Sequence, residues 1–170
     1  MNFDGASRGN PGPSGFGACI RNSSREVVAI IVSPLPIDTN SMAEAHTLLA
    51  GLILAKQGYF HQLHIEGDSS FIIDACIHRR IISWKLKYVL NQIWRLLDDC
   101  LDVCISHIYQ EGNQVAYYLS NLGCDGITVS TFHLSPIIGK HNVLKNLMQA
   151  DMEASTSSTS EVIRDFMVNE

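Results

Sequence analysis

A chain of 170 residues, 46% hydrophobic and 17% charged, has the size and apolar content of one domain built around one core. Its formal net charge of −5 argues against nucleic-acid binding by bulk charge, but leaves room for a local basic patch or for divalent metal ions. No apolar run approaches the ~18 residues of a membrane-spanning helix, and the opening MNFDGASRGNPG lacks a basic region followed by an apolar one. The expectation is an intracellular protein, nuclear or cytoplasmic, without membrane contact and monomeric by default.

In chain order, Asn2 to Asp4 predict the end of a short strand, with Gly5 opening a turn. The stretch SRGNPGPSG breaks both helix and strand with its glycines and prolines. FGACIRN from Phe16 reads as a second strand. After a turn at Asn22-Ser23, EVVAIIVS from Glu26 reads as a third, rich in β-branched residues. The period then changes to that of a helix over Ser41 to Gln57, where Ala45, Leu48, Leu49, Leu52 and Ala55 recur on one face. Ser41 or Asn40 can cap it, and Glu44 stands three residues beyond Ser41, the capping-box spacing.

A strand from Leu63 ends in Gly67-Asp68, and a second helix covers roughly Ser69 to Ile77. A third runs from about Trp84 to Asp99, with Trp84, Tyr88, Ile93, Trp94 and Leu97 as its apolar positions. Trp84 and Trp94 read as core or groove-wall residues. DVCISHI from Asp102 predicts another strand, and Asn113 to Leu122 a last helix. The expected fold is therefore α/β: a three-layer build around a five-stranded mixed sheet, three antiparallel strands followed by two parallel ones, with flanking helices. Residues 1–123 form the expected domain. Residues 124–170 form a C-terminal extension, with a further short helix at 141–150 and a Ser/Thr-rich stretch at 153–161 of linker-like composition. Five cysteines without a CxxC pair read as buried, reduced thiols.

Three acids draw attention. Asp4 lies at the end of the first strand, Asp68 just past the strand expected beside it, and Glu44 in the first turn of the long helix. With that helix over the central strands, the three carboxylates converge at one sheet edge, where open α/β sheets place their sites. Clustered carboxylates raise one another's pKa, and a hard divalent cation relieves the repulsion. Each acid also has a purely structural use: Asp4 can start a turn, Glu44 can complete a cap, and Asp68 can cap the following helix.

The residues themselves carry a resemblance. FDGASRGNPGPSGFGACIRN, TNSMAEAHTLLAGLILA, LHIEGDSSFII and SHIYQEGNQVAYYLSNLG, in this order and spacing, resemble the ribonuclease H-like family, and most closely its plant-type group, found in plant genomes and in retroelement-derived reading frames. The resemblance covers residues 1–123. It implies hydrolysis of the RNA strand of RNA/DNA hybrids with two ions of Mg²⁺ or Mn²⁺. Asp4, Glu44 and Asp68 would be metal ligands, and His107 would assist proton movement or product release. Asn10, Thr39, Asn40 and Ser70 match positions that contact the hybrid. Arg79, Arg80, Lys85 and Lys87 form a candidate phosphate-facing patch, the alternative being an ordinary solvated face.

Two departures stand out. The family's final segment has an Ala-Asp pair where this chain has Ala116-Tyr117, so Tyr117 replaces the fourth catalytic acid. A phenol is neutral near pH 7 and cannot supply the charge that draws a hard cation. Glu111 and Asp125 are the acids near enough in sequence to compensate, and with Tyr117 the site would hold one ion or two. Only three residues precede Asp4, which suits a fragment of a longer reading frame. The reading is a hybrid-directed ribonuclease that is weak or inactive; the alternative is a non-catalytic nucleic-acid-binding or protein-interaction module, a degenerate retroelement relic.

Overall fold

A computed structural model describes residues 1–81, 83–132, 142, 145–146 and 149–150. The order is β1 (Asn2–Ser7), β2 (Gly12–Arg21), β3 (Val27–Asp38), α1 (Asn40–Gln57), β4 (Gln62–Gly67), α2 (Ser70–His78), α3 (Lys87–Asp98), β5 (Asp102–His107), α4 (Gln114–Cys124) and β6 (Val129–Thr131). The strands form one sheet in the order β5-β4-β1-β2-β3-β6. β1, β2 and β3 are an antiparallel meander, while β4 joins β1, and β5 joins β4, in parallel. The expected α/β mixed sheet is present, with six strands rather than five. The sixth, β6, pairs antiparallel with β3 through Ile30↔Thr131 to Val32↔Val129 and comes from beyond residue 123.

The helices divide between the two faces. Phe3, Leu63 and Ile65 of the sheet pack with Leu48 and Leu52 of α1, Ile72 of α2, and Leu90 and Ile93 of α3 in the larger core cluster. On the opposite face Cys19, Ile30 and Val32 pack with Val115 and Leu119 of α4. Alternation along β1 follows the strand period of two. Phe3 and Gly5 face α1, and Asp4 faces α4.

Several expectations need correction. Gly5 does not open a turn: β1 continues to Ser7, with Asp4 in its middle. The segment thought too rich in glycine and proline for a strand begins β2 at Gly12. It does so because the register slips between Gly12 and Ser14, and Pro13 falls at that irregularity, where a missing ladder donor is tolerated. The α1 cap is Thr39, whose Oγ1 accepts from the Met42 amide at 3.4 Å, rather than Asn40 or Ser41. Glu44 is thus outside a capping box and free for another use. α3 starts at Lys87, and Trp84 and Tyr88 are 81% and 75% exposed, because the buried stripe is Val89, Leu90, Ile93 and Leu97. Cys19 and Cys76 are buried thiols as expected, whereas Cys104 is exposed on the edge strand β5. Within 141–150 the described residues 142, 145, 146, 149 and 150 are helical; the remainder of that stretch, and 153–161, lie outside the described residues. Among the described residues no helix is long and apolar enough to cross a membrane.

Gly5 sets the spacing that matters most. A Cβ there would lie 2.2 Å from the Glu44 amide nitrogen and 2.3 Å from the Ala43 carbonyl carbon, so the backbone of α1 rests directly on β1. A Gly5→Ala variant is expected to lose about 1–3 kcal/mol, because backbone rather than a movable side chain meets the added methyl. Denaturant unfolding checks this, and unchanged stability would contradict the close approach.

Candidate functional site

β1 pairs with β4 only through Asn2↔Glu66 and Phe3↔Gly67. β4 then ends, and no β4 ladder runs beside Asp4. Glu44, carried on the opposite face by α1, meets Asp4 at this opening, and Asp68 follows directly on β4. Ligand oxygens of Asp4, Glu44 and Asp68 all lie within 4.8 Å of one another. Asp4 and Glu44 are 4% and 3% exposed, and Asp68 is half-buried. Thr47, one turn after Glu44, has its Oγ1 3.0 Å from the Asp4 carbonyl and 2.7 Å from the Ala43 carbonyl, tying the helix to the strand.

The electrostatics follow from this crowding. Burial pushes the Asp4 carboxyl up to about 6 from an ordinary 3.8, and the charge of Asp68 adds to the rise, while a hydrogen bond from Ser120 opposes it. Glu44 is raised well above the usual carboxylate range, first by burial and then by the charges of Asp4 and Asp68. Oε2 of Glu44 is buried without a hydrogen-bond partner. An orphaned carboxylate oxygen facing two other carboxylates is costly unless a cation is present. The donor set is all oxygen, so a hard divalent cation fits it.

The other expected site residues divide into groups. His107, at the end of β5, is exposed; its Nε2 lies 3.1 Å from the Asp68 carbonyl oxygen and its ring makes an edge contact with Tyr109. Asn10 Oδ1 accepts from the Asn40 amide at 2.9 Å, so Asn10, Thr39 and Asn40 meet at the start of α1. Ser70 is exposed at the first turn of α2. Arg80, Lys85 and Lys87 are exposed, with the Lys85 ammonium 5.9 Å from the Trp84 ring centre. Arg79 differs from them: its guanidinium forms a fork with the Asp98 carboxylate, so its charge is already paired.

Tyr117 sits on α4, 41% exposed. Neither acid expected to compensate for it belongs to the carboxylate cluster among the described residues. Glu111 is exposed in a 3-10 turn, and Asp125, at the end of α4, pairs with Arg8 at 2.7 Å. The groups directed at the site here are Asn113, immediately before α4, and Ser120 on it, neither singled out from sequence. Asn113 Nδ2 donates to the Phe3 carbonyl at 2.9 Å and lies 3.4 Å from Asp68 Oδ1, while its own Oδ1 is buried and unpartnered. The Ser120 hydroxyl donates to Asp4 Oδ2. The available signal was the spacing: 113, 117 and 120 stand at i, i+4 and i+7, one stripe of a helix.

A family model described as reverse transcriptase-like matches residues 2–123. Among curated proteins the chain is similar to ribonuclease HI of Halobacterium salinarum, 37% identical over 70 residues that cover 41% of this chain and 35% of the relative. It is also similar to ribonuclease H of Prochlorococcus marinus, 35% identical over 105 residues covering 56% and 64%. The chain thus spans about a third to two thirds of the length of these two relatives. Among solved structures, the ribonuclease H1 of Halobacterium salinarum superposes with a TM-score of 0.69 at 30% identity, over 73% of this chain and 95% of that one. The N-terminal ribonuclease H domain of a Mycobacterium tuberculosis protein gives 0.70 at 27% identity, over 72% and 90%. The LC11 ribonuclease H1 in complex with an RNA/DNA hybrid gives 0.68 at 24% identity, over 73% and 94%, a likeness of fold.

Proposed function

This chain belongs to the reverse transcriptase-like family, and from the ribonuclease H-like domain it carries we propose that it binds RNA/DNA hybrids at a divalent-cation site and cleaves the RNA strand weakly or not at all. The observation that carries the reading is the triad of carboxylates within 4.8 Å, with Glu44 Oε2 buried and unpartnered. Asp4, Glu44 and Asp68 would hold the ion, Mg²⁺ or Mn²⁺, in one or two copies. A bound divalent cation would acidify a coordinated water and neutralise charge developing on phosphate oxygens. His107, exposed beside Asp68, would assist proton movement or product release. Asn10, Thr39, Asn40 and Ser70 would contact the hybrid, and the exposed Arg80, Lys85 and Lys87 would meet phosphates, with the exposed Trp84 ring beside Lys85. The proposed setting is the nucleus or cytoplasm, and the plant-type motifs favour a retroelement-related origin.

Tyr117 is the observation favouring the non-catalytic reading, in which the same surface binds nucleic acid and no hydrolysis follows. Both readings predict binding. A labelled RNA/DNA hybrid is expected to bind more tightly in Mg²⁺ than in EDTA, and more tightly than a DNA duplex of the same sequence. Joint replacement of Arg80, Lys85 and Lys87 by Glu is expected to weaken binding by about tenfold or more and flatten its salt dependence. Equal affinity for hybrid and DNA duplex, unaffected by Mg²⁺, would overturn the proposal.

A further inference from the structure

The feature of α4 that reaches the carboxylates is not residue 117. Asn113, Tyr117 and Ser120 share one stripe of the helix, and the amide of Tyr117 donates to the Asn113 carbonyl at 3.0 Å in the regular helical pattern. The first and last of the three are buried polar groups turned inward, 2% and 0% exposed, while the middle one is 41% exposed. Ser120 meets Asp4 because Gly17 is the register partner of Asp4 on β2 and has no side chain. A Cβ on Gly17 would lie 2.4 Å from both the Leu119 Cβ and the Ser120 amide nitrogen, so α4 can approach the sheet only where that strand is bare.

The Ser120 hydroxyl has one proton and two acceptors within reach, Asp4 Oδ2 and the Tyr117 carbonyl oxygen at 2.8 Å. The bond to a carboxylate is the stronger of the two when that carboxylate is ionised. It also restrains the rotation of the Asp4 carboxyl, while Thr47 separately holds the Asp4 main-chain carbonyl. One oxygen of Asp4 is anchored to α4, in a carboxylate that clusters with Glu44 and Asp68.

We propose that Ser120 is a positioning residue for the cation site, anchoring Oδ2 of Asp4 from α4. It takes over the orienting part of α4's contribution, and supplies none of the charge. The proposal rests on Asp4, Glu44 and Asp68 being cation ligands, as argued above. The Tyr117 carbonyl is the second acceptor of that hydroxyl, and the link from α4 to Asp4 runs through Ser120.

The test is Mn²⁺ binding, followed by the electron paramagnetic resonance of free Mn²⁺, in the full chain and in Ser120→Ala, Asp4→Asn and the double variant. Ser120→Ala removes one buried oxygen and adds no volume, and its metal-free melting temperature, measured alongside, reports any purely structural loss. Hydrogen bonds to charged groups are strong enough that Mn²⁺ affinity is expected to fall about tenfold or more in Ser120→Ala. In the Asp4→Asn background the same substitution is expected to change the residual affinity by less than about twofold, since its effect passes through Asp4. Equal or tighter binding by Ser120→Ala overturns the role, showing that the hydroxyl competes with the cation for Oδ2. An equal loss in both backgrounds also overturns it, showing a general effect of the buried hydroxyl. Failure of the unmodified chain to bind Mn²⁺ overturns the cation site itself, and the role of Ser120 with it.

Discussion

Tyr117→Asp is expected to raise cleavage of a labelled RNA/DNA hybrid by about 10²–10³-fold over the unmodified chain, the scale at which one preorganised electrostatic contact acts on a transition state. Position 117 is within about one helical turn of both Asn113 and Ser120, the residues that reach Asp68 and Asp4, so a carboxylate there would be added close to the cluster. The resemblance to the family implies a fourth acid here, and the three present would leave the site one negative charge short of that set. The change shortens an exposed side chain, and the fold is expected to tolerate it. Asp68→Asn in the Tyr117→Asp background is expected to abolish the gain, which ties the new activity to this site rather than to a contaminant. If Tyr117→Asp binds hybrid and divalent cation yet shows no increase in cleavage, the missing charge is not what limits the chemistry.

Metal-free stability is expected to fall as pH rises from 4 to 7. The unfolded chain releases the Asp4 proton near 3.8, whereas the folded chain keeps it until about 6. Between those values the folded state binds more protons than the unfolded one, so raising the pH favours unfolding, and the Asp4 part of the loss levels off above about 6. The interval corresponds to about 3 kcal/mol for Asp4 alone, on the order of 10 °C in melting temperature for a domain of this size. Glu44, raised in the same direction, adds to it. Asp98 runs the other way: the Arg79 guanidinium lowers its pKa, but the pair is exposed and contributes little. In EDTA, Asp4→Asn is expected to flatten the pH profile and to melt above the unmodified chain at pH 7. A saturating divalent cation at pH 7 is expected to restore what deprotonation removes, about 3 kcal/mol at 100 times its Kd. A metal-free profile that is unchanged by Asp4→Asn would contradict the assignment of this strain to the acid cluster.

Much of this was legible in the sequence, because the informative features are local. The change of hydrophobic period at Ser41 marks α1, and Asp4, Glu44 and Asp68 each sit beside a glycine or a helix start that can be read directly. What escaped depends on contacts distant in sequence. β1 continues through Gly5 because its partner is β2, and β2 accepts Pro13 because the register with β3 slips there. Trp84 reads as core by its type, yet it lies in a turn before α3 and faces water. Ser120 carries no signal alone. Its role exists only because Gly17 lets α4 come close to Asp4.

Gly5 and Gly17 place a helix backbone against the sheet on either side of Asp4. The separation of Asp4 and Glu44 is thus set where main chain meets main chain, and side chains elsewhere in the two cores bear on how firmly that contact is held. Drift in the hydrophobic layers would erode the lifetime of the fold long before it altered the shape of the site. The architecture can therefore outlast its chemistry: a lineage without an acid at 117 would keep Asp4 and Glu44 together for as long as it kept the two glycines. Recovery of activity would then be one substitution away, rather than a matter of rebuilding the scaffold.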